Sequence, residues 1–274
     1  MQKNVEEITK KLEEGVQNIF ASDKYAEFLR VMTKFHNYSF NNCILISLQF
    51  PEATFVAGYK SWQNNFKRNV KKGEKAIRIL APMQKKFTKQ IINEDGETED
   101  KEIKYTTFRV TSVFDISQTE GEELPEICKE LDGKVEGFED LIEQLRKVSP
   151  VPIEYKKVAG SANGYYSHET KSIVVDESLS ESQKVKTTIH EIAHAILHNE
   201  DNGIEKAADR RTKEVQAESV AYSVCNWLGL DTSEYSFGYV AEWSEGKELK
   251  ELSKSMDVIR MTAAEIIDSL GLAV

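Results

Sequence analysis

Cysteine is scarce in this chain. The three present, Cys43, Cys128 and Cys225, lie far apart and form no CxxC pair, which excludes a disulfide-stapled scaffold. Long apolar runs are missing as well. No stretch approaches the roughly 20 residues needed to cross a bilayer. The opening "MQKNVEEITKKLEEGVQNIF" is charged and helix-periodic with no uninterrupted apolar core, so it does not read as a secretory signal. Together these absences point to a cytoplasmic protein with incidental thiols and no membrane partner. The chain also has no internal repeat and no low-complexity tract, and at a net charge of -10 it is no polycation as a whole. Histidine is rare too, with five in all, yet three of them fall within "TTIHEIAHAILHNE", at His190, His194 and His198.

What is present suits an ordinary globular protein. The 274 residues favour two modest domains, and a hydrophobic fraction of 40% is enough for real cores. Residues 1–50 read as helices, with apolar residues at helical spacing in "YAEFLRVMTKF" and in "NNCILISLQF", which Pro51 closes. Strand-like runs follow in "KAIRILAP", "KKFTKQII" and "KYTTFRVTSVFDI". The last two flank the acidic turn "NEDGETED", centred on Gly96, and are expected to pair as a hairpin.

Composition shifts at Ser117–Glu126, which is acidic and poor in apolar residues. The expected division is therefore a first domain at 1–120, a linker at 121–136 and a second domain at 137–274. The second domain opens with a helix, "FEDLIEQLRKV". Two short strands then flank "SHETK", a histidine-bearing helix follows, and two more long helices end the chain. The expected class is α+β: an N-terminal α/β domain with an antiparallel meander, then a domain whose histidine helix lies beside a small sheet.

Ser180 and Gln183 fit a capping box, after which "VKTTIHEIAHAIL" is continuously helix-compatible. At 3.6 residues per turn His190 and His194 point the same way, one turn apart. Two imidazoles need that geometry to hold one Zn²⁺ from a single helix. Glu191 is offset by about 100°, so it flanks the ion as a general base rather than binding it. HExxH has only three fixed positions and arises by chance in many helices. Here its neighbours Ile192, Ala193, Ala195, Ile196 and Leu197 are small or apolar, so inward histidines and a glutamate need partners, and a metal supplies them.

His198 lies about 12 Å along the axis from His190, at 1.5 Å per residue. That is too far for all three histidines of a straight stripe to share one ion, so His198 is expected to pack beside the site as a supporting residue. Glu200 would need a glycine turn where the chain has Leu197, and is rejected. The remaining donors are Glu214 and Glu218, one turn apart on the next helix, "KEVQAESVAY". One can bind the ion and the other can fix a ligand histidine's tautomer; spacing does not say which. Their bland reading is solvated surface charge, but Val215, Ala217, Val220 and Ala221 make that helix largely apolar. His168, in the "SHETK" turn, reads as exposed. An oxyanion donor is also needed, and Tyr222, Tyr235, Tyr239 and His198 are all candidates.

The first half carries its own signal. Residues 60–89 hold ten Lys/Arg and one acid, Glu74, a local charge of +9 that leaves -19 for the rest. A solvated basic face is the common explanation. The asymmetry in an acidic chain, with aromatics interleaved, argues instead for single-stranded nucleic acid, where cations meet phosphates and rings meet bases. The candidate contacts are Tyr59, Lys60, Trp62, Lys67, Arg68, Lys71, Lys72, Lys75 and Arg78.

Several of these stretches resemble known families. The HExxH…ExxxE arrangement resembles the gluzincin peptidases. That resemblance implies Glu214 as the third metal ligand and Glu218 as its supporting carboxylate, although the family often has aspartate at the second place. "NYSFNNCILISLQFPEATFVAGYKSWQNNFKRNVKKGEKAIRILAP" resembles the N-terminal domain of ArdC-type antirestriction proteins and LtrC-like proteins of conjugative elements. The segment from "VSPVPIEY" to "FGYVAEW" resembles the metallopeptidase domain of LtrC-like members, and ImmA/IrrE-type peptidases share a similar HExxH site. The resemblance implies a single-stranded-DNA-binding domain joined to a zincin-like zinc peptidase with an unidentified protein substrate, carried on a mobile element. Two rivals stand beside it: a non-proteolytic antirestriction protein with a structural or vestigial zinc site, and a peptidase with a protein-binding N-domain.

Overall fold

The computed structural model describes residues 2–20, 24–92, 98–123, 137–160, 162–201, 203–205, 207–232, 235 and 237–270, with the side chains of 2–6, 13, 17, 91, 92, 98 and 99 outside that description. Gly96, Cys128 and most of the expected linker fall outside the described residues. Helices α1 (Gln2–Ile19), α2 (Lys24–Lys34) and α3 (Phe40–Gln49) come first. Then come β1 (Val56–Gly58), α4 (Tyr59–Asn64), β2 (Arg68–Val70), β3 (Ile77–Ile92), β4 (Thr98–Asp115), a 3-10 turn (Ile116–Gln118) and β5 (Thr119–Gly121). The second half runs α5 (Phe138–Val148), β6 (Ile153–Tyr155), β7 (Gly164–Ser167), β8 (Ser172–Val175), α6 (Glu181–Leu197), α7 (Arg210–Trp227), α8 (Gly238–Ser244) and α9 (Leu249–Ser269). The class is α+β, as expected.

The chain divides into two compact units, and the division is not the one composition suggested. One unit is Met1–Glu14 with Leu45–Gly121; the other is Gly15–Ile44 with Glu122–Val274. One unit ends at Gly121, and residues 15–44 fall with the C-terminal unit. The reason is packing. α2 buries Tyr25, Phe28, Leu29 and Met32, and this face needs an apolar cover, which α7 and α9 supply. Polar contacts fix the fit: the Tyr25 hydroxyl lies 2.8 Å from Ser219 Oγ, and Arg30 Nε donates to the Tyr222 hydroxyl at 2.7 Å.

Among the described residues of the first unit all strand pairing is antiparallel, and one sheet has the order β1-β4-β3. This is a hairpin with β1 added to the far strand rather than a simple meander. The expected strands "KAIRILAP" and "KKFTKQII" are one strand, β3, running through Pro82. Proline is tolerated there because β3 is an edge strand, so the missing N–H breaks no ladder. Trp62 anchors this unit. It is fully buried, its rings pack against Phe55 and Phe66, and its Nε1–H donates to Phe114 O at 2.9 Å.

The second unit is layered. Its sheet has the order β6-β8-β7, with β6 parallel and β7 antiparallel to β8. α6 packs on β7 and β8 with one face and on α7 with another; α7 in turn meets α2 and α9. Ser180 caps α6 by accepting from Gln183 N, and Asp209 caps α7 by accepting from Thr212 N. Gly164 is needed where β7 meets α6. A Cβ there would lie 2.7 Å from both Thr187 Cγ2 and the Val174 carbonyl oxygen. Gly203 is needed in the α6–α7 connection, where a Cβ would fall 2.5 Å from Asn199 backbone atoms.

Candidate metal centre

α6 and α7 bring three donor atoms together. His190 Nε2 and His194 Nε2 are 3.1 Å apart, and Glu214 Oε2 lies 3.7 Å from each. Donors at about 2.0–2.1 Å from a tetrahedral zinc are separated by roughly 3.3 Å, so the triangle fits one small cation. Among the described residues, His190, His194 and Glu214 are the group of such side chains whose ligand atoms converge in this way.

The proton inventory agrees with the distances. Gln216 Nε2 donates to Ser255 Oγ at 2.9 Å, which leaves Gln216 Oε1 facing His198 Nε2 at 3.0 Å. An amide oxygen only accepts, so His198 carries its proton on Nε2. Burial holds His198 neutral by pulling its pKa down to about 4, so its Nδ1 is an acceptor. That atom receives a hydrogen bond from His194 Nδ1 at 2.9 Å. His194 Nε2 therefore presents a lone pair to the site. On the other side His190 Nδ1 donates to Glu218 Oε2 at 3.2 Å. Of the ring nitrogens of these three histidines, all but the two facing Nε2 atoms are thus committed, and those two need a cation between them.

Without an ion that cation is a proton on His190. Burial pulls the His190 pKa down, but hydrogen bonds to Glu214 and Glu218 and the charge of Glu191 outweigh it and push the pKa up to about 9. The same two histidines hold the Glu214 carboxyl well below the usual carboxylate range. Glu191 is buried, only 7% exposed, and burial raises its pKa even though the neighbouring histidines and a hydrogen bond from the Tyr166 backbone N–H act in the opposite direction. A cavity of about 590 Å³ opens over these groups, lined on one side by β7 and on another by Arg210 and Lys213 of α7.

The structure thus brings His190, Glu191, His194 and Glu214 together, and places Glu218 and His198 behind the two ring Nδ1 atoms. His168 is exposed at the cavity edge, its ring 4.7 Å from that of Tyr166. Of the oxyanion candidates, Tyr222 is buried under Arg30, the Tyr235 hydroxyl is 3.7 Å from Cys225 Sγ, and His198 is taken by Gln216. Tyr239 remains, partly exposed, its pKa raised by burial and by the charges of Glu218 and Glu214. Gln216 and the Tyr166 N–H were not among the candidates visible in sequence. A glutamine at a buried position of an otherwise small and apolar helix face was the available signal for the first.

The nucleic-acid candidates are scattered by comparison. Trp62 is a correction: at 0% exposure it cannot stack on a base. Arg68 is occupied by Thr119, with Nε donating to Oγ1 and a terminal nitrogen to the carbonyl. Lys67 Nζ donates to Asn64 O and Lys71 Nζ to Ser117 O, so both brace local backbone. Tyr59, Lys60, Lys72, Lys75 and Arg78 are exposed.

Comparison with known proteins places these two halves. Residues 1–114 match the model of the N-terminal domain of anti-restriction factor ArdC, and residues 147–225 match that of the IrrE N-terminal-like domain. An uncharacterized protein of Bacillus anthracis is 30% identical over 89% of this chain, which spans 47% of that protein's length. Two crystal structures of the antirestriction ArdC protein from plasmid R388, one metal-free and one Mn(II)-bound, align over 86% of this chain and 83% of theirs. Their identities are 21% and 19%, each with a TM-score of 0.49.

Proposed function

We propose that this chain, an ArdC-like two-domain protein with an ArdC-type N-terminal domain followed by an IrrE-like domain, is a zinc-dependent peptidase that holds single-stranded DNA. Its service is antirestriction as a mobile element arrives in a new host. The observation that carries the peptidase half is the triangle of His190 Nε2, His194 Nε2 and Glu214 Oε2 beside the buried Glu191 carboxylate.

A bound zinc ion supplies Lewis acidity toward a carbonyl oxygen and makes water a nucleophile at neutral pH. The rest is done by the chain. β7 is an edge strand beside the cavity, so its unpaired side can hold an extended peptide by main-chain hydrogen bonds. Glu191 takes a proton from the attacking water and returns it to the leaving amine. Its raised pKa, caused by burial, brings it closer to the operating pH than an ordinary glutamate. The Tyr166 N–H aims the carboxylate. Of the four residues considered as oxyanion donors, Tyr239 is the one that remains, close enough to Glu218 and Glu214 to feel their charge, and its hydroxyl is assigned to the carbonyl oxygen as charge develops there.

Glu191→Gln tests the reading. The variant should keep its metal, measured by elemental analysis after dialysis, and lose cleavage of a proteome-derived peptide library read by mass spectrometry. Cleavage at the same sites and rates in Glu191→Gln would sink the mechanism.

A further inference from the structure

The β3–β4 hairpin is far longer than the sheet it belongs to. β1 pairs only with Val113–Asp115, so outward from there β3 and β4 pair only with each other. At its base one face of the hairpin is core, burying Ile77, Ile79 and Val113. Side chains alternate between faces, and the pairing register is continuous, so the same face can be followed outward into solvent. There it carries Lys85, Phe87 and Lys89 from β3, and Lys101, Tyr105 and Arg109 from β4. From residues 81–89 and 101–109 this face holds four cations and no acid.

The opposite face is different. Lys86 and Lys104 there are balanced by Asp100 and Glu102, and Lys86 Nζ reaches Glu102 at 3.0 Å. Over residues 81–89 and 101–109 the basic face has no such balance, because no carboxylate shares it there. Lys89 and Lys101 lie directly opposite each other in the register, an arrangement that is unfavourable unless an anion lies between them. Phe87 and Tyr105 stand on the same face, 46% and 42% exposed, with ring centroids 5.6 Å apart. The pair packs edge to face, and nearly half of each residue's surface is left to solvent, where the rings are open to a ligand.

We propose that this face of the hairpin is the principal surface on which the protein holds single-stranded DNA, with Lys85, Lys89, Lys101 and Arg109 meeting phosphates and Phe87 and Tyr105 stacking on unpaired bases. The proposal rests on the nucleic-acid half of the proposed function and moves its main contacts away from the Tyr59–Arg78 segment. Charge alone would serve duplex DNA equally well; the two rings favour unpaired bases, whose π-faces are free. In sequence, residues 93–100 carry five acids, so the bound strand should stop short of them.

The test is fluorescence anisotropy of the full chain with a labelled mixed-sequence single strand of about 20 nucleotides, longer than the site of a typical single-strand binder, and with the matching duplex, from low to moderate salt. Wild type should bind the single strand more tightly. A quadruple Gln variant at Lys85, Lys89, Lys101 and Arg109 should lose affinity and flatten the salt dependence, by about 0.7 of a logarithmic unit for each phosphate no longer neutralised. Phe87→Val with Tyr105→Val, which keeps strand propensity, should lose about tenfold or more on the single strand while leaving the salt slope and duplex binding unchanged. Thermal unfolding checks that each variant is folded. If wild type binds no single strand at low salt, both the nucleic-acid half of the proposed function and this proposal fall. If wild type binds and the arm variants bind equally well, this proposal alone is overturned, and Gln substitutions at Lys60, Lys72, Lys75 and Arg78 then test whether the earlier segment holds the strand.

Discussion

Replacing Gln216 by leucine isolates the part of the metal centre that is furthest from the metal. The side chain is 1% exposed and supplies the acceptor for His198 Nε2. Leucine of similar volume removes that acceptor, and two effects follow. The buried His198 N–H is left without a partner, at a cost of about 1–3 kcal/mol in stability. His198 can escape by moving its proton to Nδ1, but it then donates to His194 Nδ1 and forces the His194 proton onto Nε2, the atom facing Glu214 and His190. An ion must now displace that proton as well. Loss of an outer hydrogen-bond partner typically lowers metal affinity by about 10–100-fold, or about 1.4–2.8 kcal/mol. The assays are competition of the metal-free protein with a chromophoric chelator for zinc, and long-range ¹H–¹⁵N spectra of the imidazoles. Gln216→Glu, which still accepts, should retain affinity, so a loss confined to the leucine variant separates proton placement from packing. If Gln216→Leu binds zinc as wild type does and His194 keeps its proton on Nδ1, Gln216 does not set the protonation of the metal-binding histidine.

Other outcomes can be checked separately. The His190 proton must leave when an ion enters, so apparent zinc affinity should rise about tenfold per pH unit up to about pH 9 and level off above it; a profile already flat from pH 7 contradicts this. In the metal-free protein the raised His190 pKa gives stability that is full below its unfolded value of 6.5 and lost as pH rises toward about 9. His198 has the opposite sign: its lowered pKa gives stability that is full above 6.5 and lost as pH falls toward about 4, so chemical denaturation of metal-free protein should show a maximum near pH 6.5, and His198→Asn should flatten the acid limb. Trp62→Ala should cost about 3–5 kcal/mol in unfolding, because the side chain is core; an unchanged melting temperature would contradict its burial. Tyr239→Phe should reduce turnover with little change in zinc content, and equal turnover would remove it as the oxyanion donor.

Much of the second half is legible because its information is local. Ser180 at the N-cap, the apolar run behind it and the four-residue histidine spacing all act within one helix, and α6 runs over Glu181–Leu197 with both histidines on one side. The strands around "SHETK" pair as expected because alternation and a turn are also local. Less legible was the place of α2. Its periodicity shows that it has an apolar face, but not that the cover comes from helices nearly 200 residues away. The basic stretch shows the same limit. Its charge is visible in sequence, yet counting along the chain mixed Trp62, Arg68 and Lys71, which build the unit, with residues that face solvent.

Helical spacing alone puts His190 and His194 one turn apart with Glu191 next to the first of them, because 1.5 Å and about 100° per residue leave no other arrangement on a helix. It also determined that His198, on the same stripe, could not join them on one ion. Tertiary structure decided what lies opposite. It brought Glu214 to the two Nε2 atoms, set Glu218 against His190 Nδ1, and turned Gln216 toward His198. Those choices depend on how α7 is offset and rotated against α6, which the packing of α2, α9 and the sheet fixes jointly and no single helix's periodicity contains.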